Sequence, residues 1–425
     1  MTSDLALLGG KPVANAPKPH FTWPPITESS AQAVLRQLKE SISIPDRSGI
    51  IARLENALCA YTGSKHTVLT SSGTAALHSV YAACGIGPGD EVIVPAYTFF
   101  ATATPLFQLG AIPVLADCDE NGNISPTDAA DRISSNTKAI VVTHLWGVPC
   151  DIQSFSSLAR TQNLVLIEDI AHACGTKINE RSVGTFGLAS GCSLNGPKPL
   201  SGGEGGFALT SDNEVYYRIL LHGQYNKRCH NEIPANHPLA QYATTGTGLK
   251  LRISPLAAAL TLEQLHRFEE RMKGREKIAR HMMKELHSLP GLRLPQIQPN
   301  HRPSWYALTL QYRSEELNSL PLERFLAALQ AEGCHTIDRP KSTCPLHLHP
   351  LFQNPTPLFP SYKNMHYMKN MSYMPGDFPM AEKTYKNTLT LPVWHREEDR
   401  PLVNSHLQAF EKVTANHQHL LETSQ

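Results

Sequence analysis

Seven short apolar segments between about residues 60 and 215 constrain the fold of this chain more than any other feature. Several of them are continuously apolar, which is typical of strands covered on both faces of a sheet. Because helical or polar stretches separate them, the pattern predicts an α/β fold with a mostly parallel seven-stranded sheet flanked by helices. The segments read HTVLT, EVIVP, IPVLADC, KAIVVTHL, LVLIEDI, SGCSL and GGFALTS.

The chain after this sheet predicts a connector and a smaller domain. Ser254 to Leu289 carries apolar residues near a helical period and ends at the breaker LPGLRLP. Beyond it, the strand-like WYALTLQYR and NTLTLPV alternate with two amphipathic helical stretches. We therefore predict an N-terminal segment and large domain over residues 1–253, a connecting helical region over residues 254–289 and a small C-terminal α+β domain over residues 290–425.

Residues 361–379, SYKNMHYMKNMSYMPGDFP, predict a long loop rich in Met, Tyr and Pro. Loops of this length often serve as lids or contact surfaces. Disorder is the alternative, so the role of the loop stays open at this stage.

Composition excludes several classes of protein. The 425 residues contain 38 Lys+Arg against 37 Asp+Glu, a net charge of +1 that provides no field for collecting nucleic acid. The nine Cys form no C-x-x-C pair, which argues for reduced thiols rather than a disulfide framework or zinc ribbon. The sequence shows no signal peptide and no apolar run of membrane-spanning length. We expect a cytoplasmic protein without a membrane or nucleic-acid partner.

The segment SSGTAALHSVYAACG, residues 71–85, is the sharpest local feature. A strand here enters Ser-Gly-Thr and then a helix, which directs backbone N–H groups and a hydroxyl toward an anion. An ordinary helix N-cap is the alternative, because Ser and Thr are preferred caps.

Two further features supply an acid and an amine. Asp169 in LVLIEDIAHACG follows an apolar run, where open α/β sheets bind ligands, and either caps a helix or pairs with a ligand cation. Lys198 in SLNGPKPLSGGEGG lies between two prolines directly after another apolar run, although a lone lysine is usually a solvated surface charge. Pyridoxal phosphate requires a phosphate cup, an acid for its ring nitrogen and a lysine for its Schiff base. Together the three features therefore predict this cofactor.

These motifs resemble those of the DegT/DnrJ/EryC1/StrS family of sugar aminotransferases, which have fold type I. The resemblance covers most of the chain and is weaker in the last two motifs. The matching segments are LGGKP, GSKHTVLTSSGTAALH, GPGDEVIVPAYTFFATATPLFQLGAIPVLADCD, VVTHLWGVPCD, IEDIAHACGT, GTFG, SLNGPKPLSGGEGG, PLHLHP and FPMAEKTYKNTLTLP.

The resemblance implies that Lys198 forms the Schiff base and shuttles the proton, and that Asp169 pairs with the pyridinium nitrogen. Family members that dehydrate their substrate carry His at the position of Lys198. The lysine in this chain therefore argues against dehydration. The remaining implied cofactor contacts are Gly73, Thr74 and Ser193 to the phosphate, His172 near the phenolic oxygen and Phe99 stacked on the ring. From the residues alone, core packing is the alternative for Phe99.

One motif departs from the family. The family commonly has Gly-aromatic-Asn-aromatic-Arg before the long helix, and its Asn reaches the phosphate of the neighbouring subunit. Here the stretch is GLKLR, with Lys250 at the Asn position and Arg252 at its end. Lys250 is expected either to supply the same contact as a point charge or to face solvent. Both alternatives presume a homodimer.

The resemblance implies an aminotransferase with a ping-pong cycle, which moves an amine from L-glutamate or L-glutamine to a keto-sugar or keto-cyclitol. A fold-type-I lyase or decarboxylase, and a catalytically silent protein on this fold, are the alternatives. Lys227 or Arg228 in HGQYNKRCH is a candidate for binding a substrate carboxylate, with a solvated loop as the alternative. The two His of PLHLHP have an i, i+2 spacing that does not indicate a metal site, so we predict none.

Overall fold

The structure, a computed structural model, describes residues 4–14, 23–364 and 373–422. Its strands are β1 (His66–Thr70), β2 (Glu91–Pro95), β3 (Tyr97–Phe99), β4 (Ile112–Ala116), β5 (Thr137–Thr143), β6 (Val165–Asp169), β7 (Lys177–Ile178), β8 (Arg181–Ser182), β9 (Ala189–Ser193), β10 (Gly206–Thr210), β11 (Leu292–Arg293), β12 (His301–Arg302), β13 (Leu308–Tyr312), β14 (Thr343–Pro345) and β15 (Thr388–Leu391).

The helices before the connector are α1 (Glu28–Glu40), α2 (Gly49–Thr62), α3 (Gly73–Ala83), α4 (Thr104–Gln108), α5 (Pro126–Asp131), α6 (Ile152–Gln162), α7 (Asn213–Gly223) and α8 (Lys227–Glu232). Those from the connector onward are α9 (Pro255–His266), α10 (Phe268–Leu286), α11 (Leu322–Ala331), α12 (Pro350–Gln353), α13 (Pro379–Asn387), α14 (Arg400–Ala415) and α15 (His417–Glu422).

All seven predicted strands form one sheet, in the order β1-β10-β9-β6-β5-β2-β4. The pairs from β9 to β4 are parallel. Strand β10 runs antiparallel to both of its neighbours, β1 and β9. The mostly parallel seven-stranded sheet is therefore confirmed.

Burial on both faces explains why the strand segments are continuously apolar. In β2, Val92 and Val94 belong to one hydrophobic cluster, whereas Ile93 between them belongs to the cluster on the opposite face. All three side chains are fully buried. A sheet with helices on both sides needs apolar residues at every strand position, because neither face meets water.

The predicted connector is present as helices α9 and α10. A second sheet follows it, with the order β11-β13-β15, and its core also contains α11 and α14. Residues 4–14, which we assigned to the large domain, pack in this second core: Leu5 is fully buried there. The buried carboxylate of Glu332 accepts hydrogen bonds from the amides of Ala6 (2.8 Å) and Val13 (3.0 Å). The domain boundaries themselves stay a prediction.

Two tyrosines of the predicted 361–379 loop contact β4 and the residue before it. The Tyr362 hydroxyl donates to the carbonyl of Ala111 (2.6 Å), and the Tyr373 hydroxyl accepts from the amide of Leu115 (3.1 Å). Residues 365–372 of this loop lie outside the described residues. The role of the loop stays open.

Candidate active site

A cavity of about 590 Å³ lies at the carboxyl ends of β5, β6 and β9. Ligands of open α/β sheets bind at this edge, because the loops that follow parallel strands converge there. Seven of the nine predicted cofactor residues line the cavity: Gly73, Thr74, Phe99, Asp169, His172, Ser193 and Lys198.

The first turn of α3 forms one end of the cavity. Ser72 is the N-cap, since its hydroxyl accepts from the amide of Ala75 (3.0 Å). This bond leaves the amides of Gly73 and Thr74 at the helix start, where an anion is favoured. A Cβ at residue 73 would lie 2.7 Å from the Cβ of Ser193, so only glycine lets the helix start approach β9. The two alternatives for this motif therefore coexist: Ser72 caps, and its neighbours remain available to a phosphate.

The Asp169 carboxylate is buried and oriented by two donors. Its Oδ2 accepts from the hydroxyl of Thr102 (2.8 Å), and its Oδ1 accepts from the amide of Ala171 (3.0 Å). Burial raises the pKa of Asp169, whereas these two donors and the Lys198 amine oppose the rise. A ligand cation against Asp169 would favour its ionised form further. A turn and no helix directly follows Asp169, so the capping alternative is wrong.

Lys198 is half-buried in the cavity, so it is not a solvated surface lysine. Its Nζ lies 4.8 Å from the centre of the Tyr306 ring. Burial lowers the pKa of Lys198 to about 8, while the Asp169 carboxylate and the Cys192 thiol oppose this effect. About a tenth of the amine is therefore unprotonated at pH 7, far more than for an ordinary lysine, and the unprotonated form is the one that attacks a carbonyl carbon.

His172 is held as a neutral imidazole. Burial, and then the charge of Lys198, keep the pKa of His172 well below its usual range. Its Nδ1 accepts from the amide of Trp146 (3.4 Å), which assigns the proton to Nε2. The ring stacks on Tyr306, with centroids 4.2 Å apart. His172 can thus donate one hydrogen bond to an oxygen in the cavity.

Sequence reasoning missed several lining residues. Tyr306 and Trp146 reach the cavity together, because the amide of Tyr306 donates to the carbonyl of Trp146 (3.0 Å). Strand β14 pairs with β3, and this pairing brings Asp338–Thr343 to the cavity, where they form a further wall. The charged run DRPK was the only local signal for this wall. Thr143, which pairs with Asp169 across β5 and β6, also lines the cavity.

The remaining predicted residues lie outside this cavity. Lys250 is exposed and Arg252 half-buried, although their segment adjoins the phosphate cup: the carbonyl of Leu251 accepts from the amide of Ser71 (2.7 Å). The suggestion for Arg228 is wrong, since its buried guanidinium pairs with Glu55 (2.8 Å) and cannot reach a substrate. Lys227 is exposed and does not line the cavity.

These residues fit pyridoxal phosphate by their donor chemistry. The α3 start with Ser193 offers neutral donors to a phosphate, Asp169 offers a carboxylate to a pyridinium and Lys198 offers an amine to an aldehyde. Thr143 adds a buried hydroxyl that has no protein partner among the described residues. Within the same residues, no group of three His, Cys, Asp or Glu side chains is arranged to hold a metal ion. None of the described helices is long and apolar enough to cross a membrane.

Comparisons with known proteins agree with this site. A model of the DegT/DnrJ/EryC1/StrS aminotransferase family matches residues 25–404. The spore coat polysaccharide biosynthesis protein SpsC of Bacillus subtilis (strain 168) is 34% identical over 353 residues, 82% of this chain and 86% of that protein. A GDP-perosamine synthase of Vibrio cholerae is 31% identical over 360 residues, 83% of this chain and 94% of that protein. An aminotransferase structure from Psychrobacter cryohalolentis has a TM-score of 0.79 and 25% identity, covering 94% of this chain and 100% of that one.

Proposed function

The chain belongs to the DegT/DnrJ/EryC1/StrS family of pyridoxal-phosphate-dependent aminotransferases of fold type I, and we propose that it aminates a keto-sugar or keto-cyclitol with L-glutamate or L-glutamine as the donor. The two substrates would react in turn, in a ping-pong cycle. The observation that carries the proposal is the meeting of Lys198, Asp169 and the α3 start in one cavity.

Lys198 is the proposed proton carrier. The bound cofactor supplies an electron sink for the amine-bearing carbon of the substrate. Lys198 Nζ would accept the proton from that carbon and deliver it to the carbon of the cofactor aldehyde group. A pKa of about 8 suits both directions, because such an amine accepts and releases protons near neutral pH.

Asp169 and His172 are proposed to orient the cofactor. Asp169 would keep the ring nitrogen protonated, with Thr102 holding the carboxylate in place through the 2.8 Å bond. His172 would donate from Nε2 to the phenolic oxygen. Gly73, Thr74 and Ser193 would bind the phosphate and Phe99 would cover the ring.

The wall formed by Asp338–Thr343 is the proposed substrate side of the cavity. It carries two cations, Arg339 and Lys341, which suit a donor carboxylate or an acidic group on the acceptor. Both are partly engaged: Arg339 contacts Glu323 (2.7 Å) and Lys341 contacts Asp338 (2.8 Å). In each pair one partner, Glu323 or Lys341, is exposed, so solvent weakens both pairs and an anionic substrate can replace them.

Incubation with L-glutamate or L-glutamine alone tests the reaction type. We expect the visible spectrum of the loaded enzyme to change to that of the pyridoxamine form, with release of the matching 2-keto acid. Absorption spectroscopy and mass spectrometry of the products measure both changes. Release of carbon dioxide or ammonia would favour a lyase or decarboxylase. An unchanged spectrum with both amino acids would favour a catalytically silent protein.

Subunit complementation tests the proposed homodimer and the roles of Lys250 and Arg252. Neutral donors at the α3 start leave most of the charge of a phosphate unmatched, so a cation from the partner would contribute strongly. We expect a Lys198→Ala chain and a chain with Lys250→Ala and Arg252→Ala each to be inactive. Mixing them should restore part of the activity, because the heterodimer contains one intact site.

Light scattering and mass spectrometry of the mixture provide the control for subunit exchange. Recovery of activity without exchange of subunits would indicate residual activity in one of the two variants. Confirmed exchange without recovery, or full activity of the Lys250→Ala and Arg252→Ala chain alone, would contradict a contribution from the partner through these residues.

A further inference from the structure

Trp23 contacts the loop that carries Lys198, which we call the lysine loop, and is not part of the cavity lining. Its indole Nε1 donates to the main-chain carbonyl of Lys198 over 2.8 Å. The amide of Lys198 donates to the carbonyl of Asn195 (2.9 Å). Pro197 and Pro199, on either side of Lys198, have no N–H groups to donate to neighbouring carbonyls. The hydrogen bond from Trp23 therefore holds the main chain at Lys198 from a distant part of the chain.

The half-buried Trp23 ring contacts two arginines and a histidine. We call Trp23, Arg271, Arg275 and His395 the Trp23 junction. The guanidinium carbons of Arg275 and Arg271 lie 4.4 Å and 5.6 Å from the ring centre. The His395 ring meets the indole edge-on, with centroids 5.8 Å apart. Cations over an indole face are attracted more strongly where water is excluded, so these contacts hold the ring in one orientation.

Both arginines are buried, and neither has a carboxylate within 4.0 Å in the described part of the chain. Burial lowers the pKa of Arg275 to about 9 and that of Arg271 to about 10, and it lowers the pKa of His395 to about 4. Two desolvated cations without an acidic partner are unusual in a folded protein. Arg275 donates to the main-chain carbonyls of Ser304 (3.3 Å) and Trp305 (2.9 Å), and Arg271 donates to Gln264. The indole face adds a cation–π contact to these hydrogen bonds and so contributes to stabilising the two charges.

The elements around the Trp23 junction are tightly packed. A Cβ at Gly274 in α10 would lie 2.0 Å from the carbonyl oxygen of His395, so the helix touches this backbone directly. The Gln264 side chain donates to the carbonyl of Pro25 (2.9 Å) and accepts from Arg271. Connections on both sides of the indole thus leave it little freedom to move.

We propose that Trp23 is a positioning residue for Lys198: it holds the Lys198 carbonyl so that the side chain enters the cavity, and the Trp23 junction ties this support to α10 and to the His395 segment. The proposal rests on the role proposed above for Lys198. It predicts that the N-terminal segment contributes to catalysis without touching substrate or cofactor.

Trp23→Phe is the test, because it keeps an aromatic face and removes the N–H donor. Loss of this support lets the loop shift, and a displacement of about 1 Å can cost about 100-fold in rate. We expect kcat to fall between about 10-fold and 100-fold with the donor KM nearly unchanged. In the pyridoxamine-loaded enzyme, acetylation of Lys198 followed by mass spectrometry should show its pKa rising toward the ordinary 10.5, because water reaches the amine.

Tyr312→Phe is a matched control. It also removes one buried hydrogen bond from an aromatic side chain to a carbonyl, that of Leu320 (2.9 Å), but in the core of the second sheet, away from the cavity. We expect similar losses of thermal stability in both variants and an altered kcat and Lys198 pKa only in Trp23→Phe. Trp23→His retains a ring N–H and should recover part of the rate, which also keeps the test decisive if Trp23→Phe does not fold.

The outcomes separate this proposal from the role of Lys198. Borohydride reduction of the loaded wild-type enzyme should place the cofactor on the Lys198 peptide; an adduct on another lysine overturns that role. If the adduct is on Lys198 but the Trp23→Phe variant has the kcat and the Lys198 pKa of the wild type, only the positioning role of Trp23 is overturned. Equal changes in Trp23→Phe and Tyr312→Phe, or no recovery in a folded Trp23→His, would also overturn it.

Discussion

Lys198→Ala should lower turnover on the order of 10⁴-fold or more, because alanine can neither bond to the cofactor aldehyde nor carry the substrate proton. The cavity keeps the α3 start, Ser193 and Asp169 in this variant, so the protein should retain cofactor without a covalent bond. Loss of the visible absorption band, together with cofactor released on denaturation, would show this state. Steady-state and half-reaction rates measure the loss.

Lys177→Ala is the control for Lys198→Ala. Lys177 is another half-buried lysine and lies 5.9 Å from the Tyr61 ring, but it is not part of the cavity lining. We expect this variant to keep turnover and the visible band. Appreciable turnover by Lys198→Ala, with an intact band, would show that another residue carries the amine.

The Lys198→Ala protein without cofactor should also differ in its stability against pH. Burial lowers the pKa of Lys198 to about 8 in the folded chain, against 10.5 for an ordinary lysine. Between these values the unfolded chain binds more protons, so this group makes wild-type stability rise with pH and disfavours the folded state below about pH 8. Denaturant unfolding between pH 7 and pH 10 should show a smaller rise for the variant.

Asp169→Asn should reduce both half-reactions by about 100-fold to 1,000-fold, the scale found when one oriented electrostatic partner is removed from an active site. An amide is close in shape to the carboxylate and can still accept from Thr102, so the fold and cofactor binding should persist. It carries no charge, however, and cannot keep the ring nitrogen protonated. Rapid-mixing measurements with donor and with acceptor would test the two half-reactions separately.

Asp151→Asn is the matched control for this change of charge. The Asp151 carboxylate caps α6, where its Oδ1 accepts from the amide of Ser154 (3.2 Å), and it lies away from the cavity lining. This variant should keep its rates and lose at most about 1 kcal/mol in the free energy of unfolding. Wild-type rates in Asp169→Asn would contradict the role proposed for Asp169.

The core of the site was predictable because its residues follow strands directly. Asp169 ends β6 and Ser193 ends β9, and Lys198 comes five residues after Ser193. Once the apolar runs predict a parallel sheet, the carboxyl ends of its strands must converge at one edge. The order of the motifs therefore predicted that the carboxylate of Asp169, the amine of Lys198 and the start of α3 meet in one cavity, and the motifs around them identified the family. The phosphate contact of Ser193 was implied only by the resemblance to that family.

Residues that act across long sequence separations were not predictable in this way. Arg228 is a charged loop residue in sequence, yet it lies buried against Glu55, which is 173 positions away. Tyr306 reaches Lys198 only because its segment pairs with Trp146, and Trp23 reaches the lysine loop across 175 positions. No local pattern records such a pairing, since it depends on how separate elements pack.

The sequence by itself determined the strands, the α3 start and the order of the chemical groups, because apolar runs and glycine turns act over a few residues. Only the tertiary structure decided the cavity wall formed by Asp338–Thr343, the neutral state of His172, the lowered pKa of Lys198 and the hydrogen bond from Trp23 to the Lys198 carbonyl. These properties depend on burial and on contacts between distant elements, and both arise only when the whole chain packs.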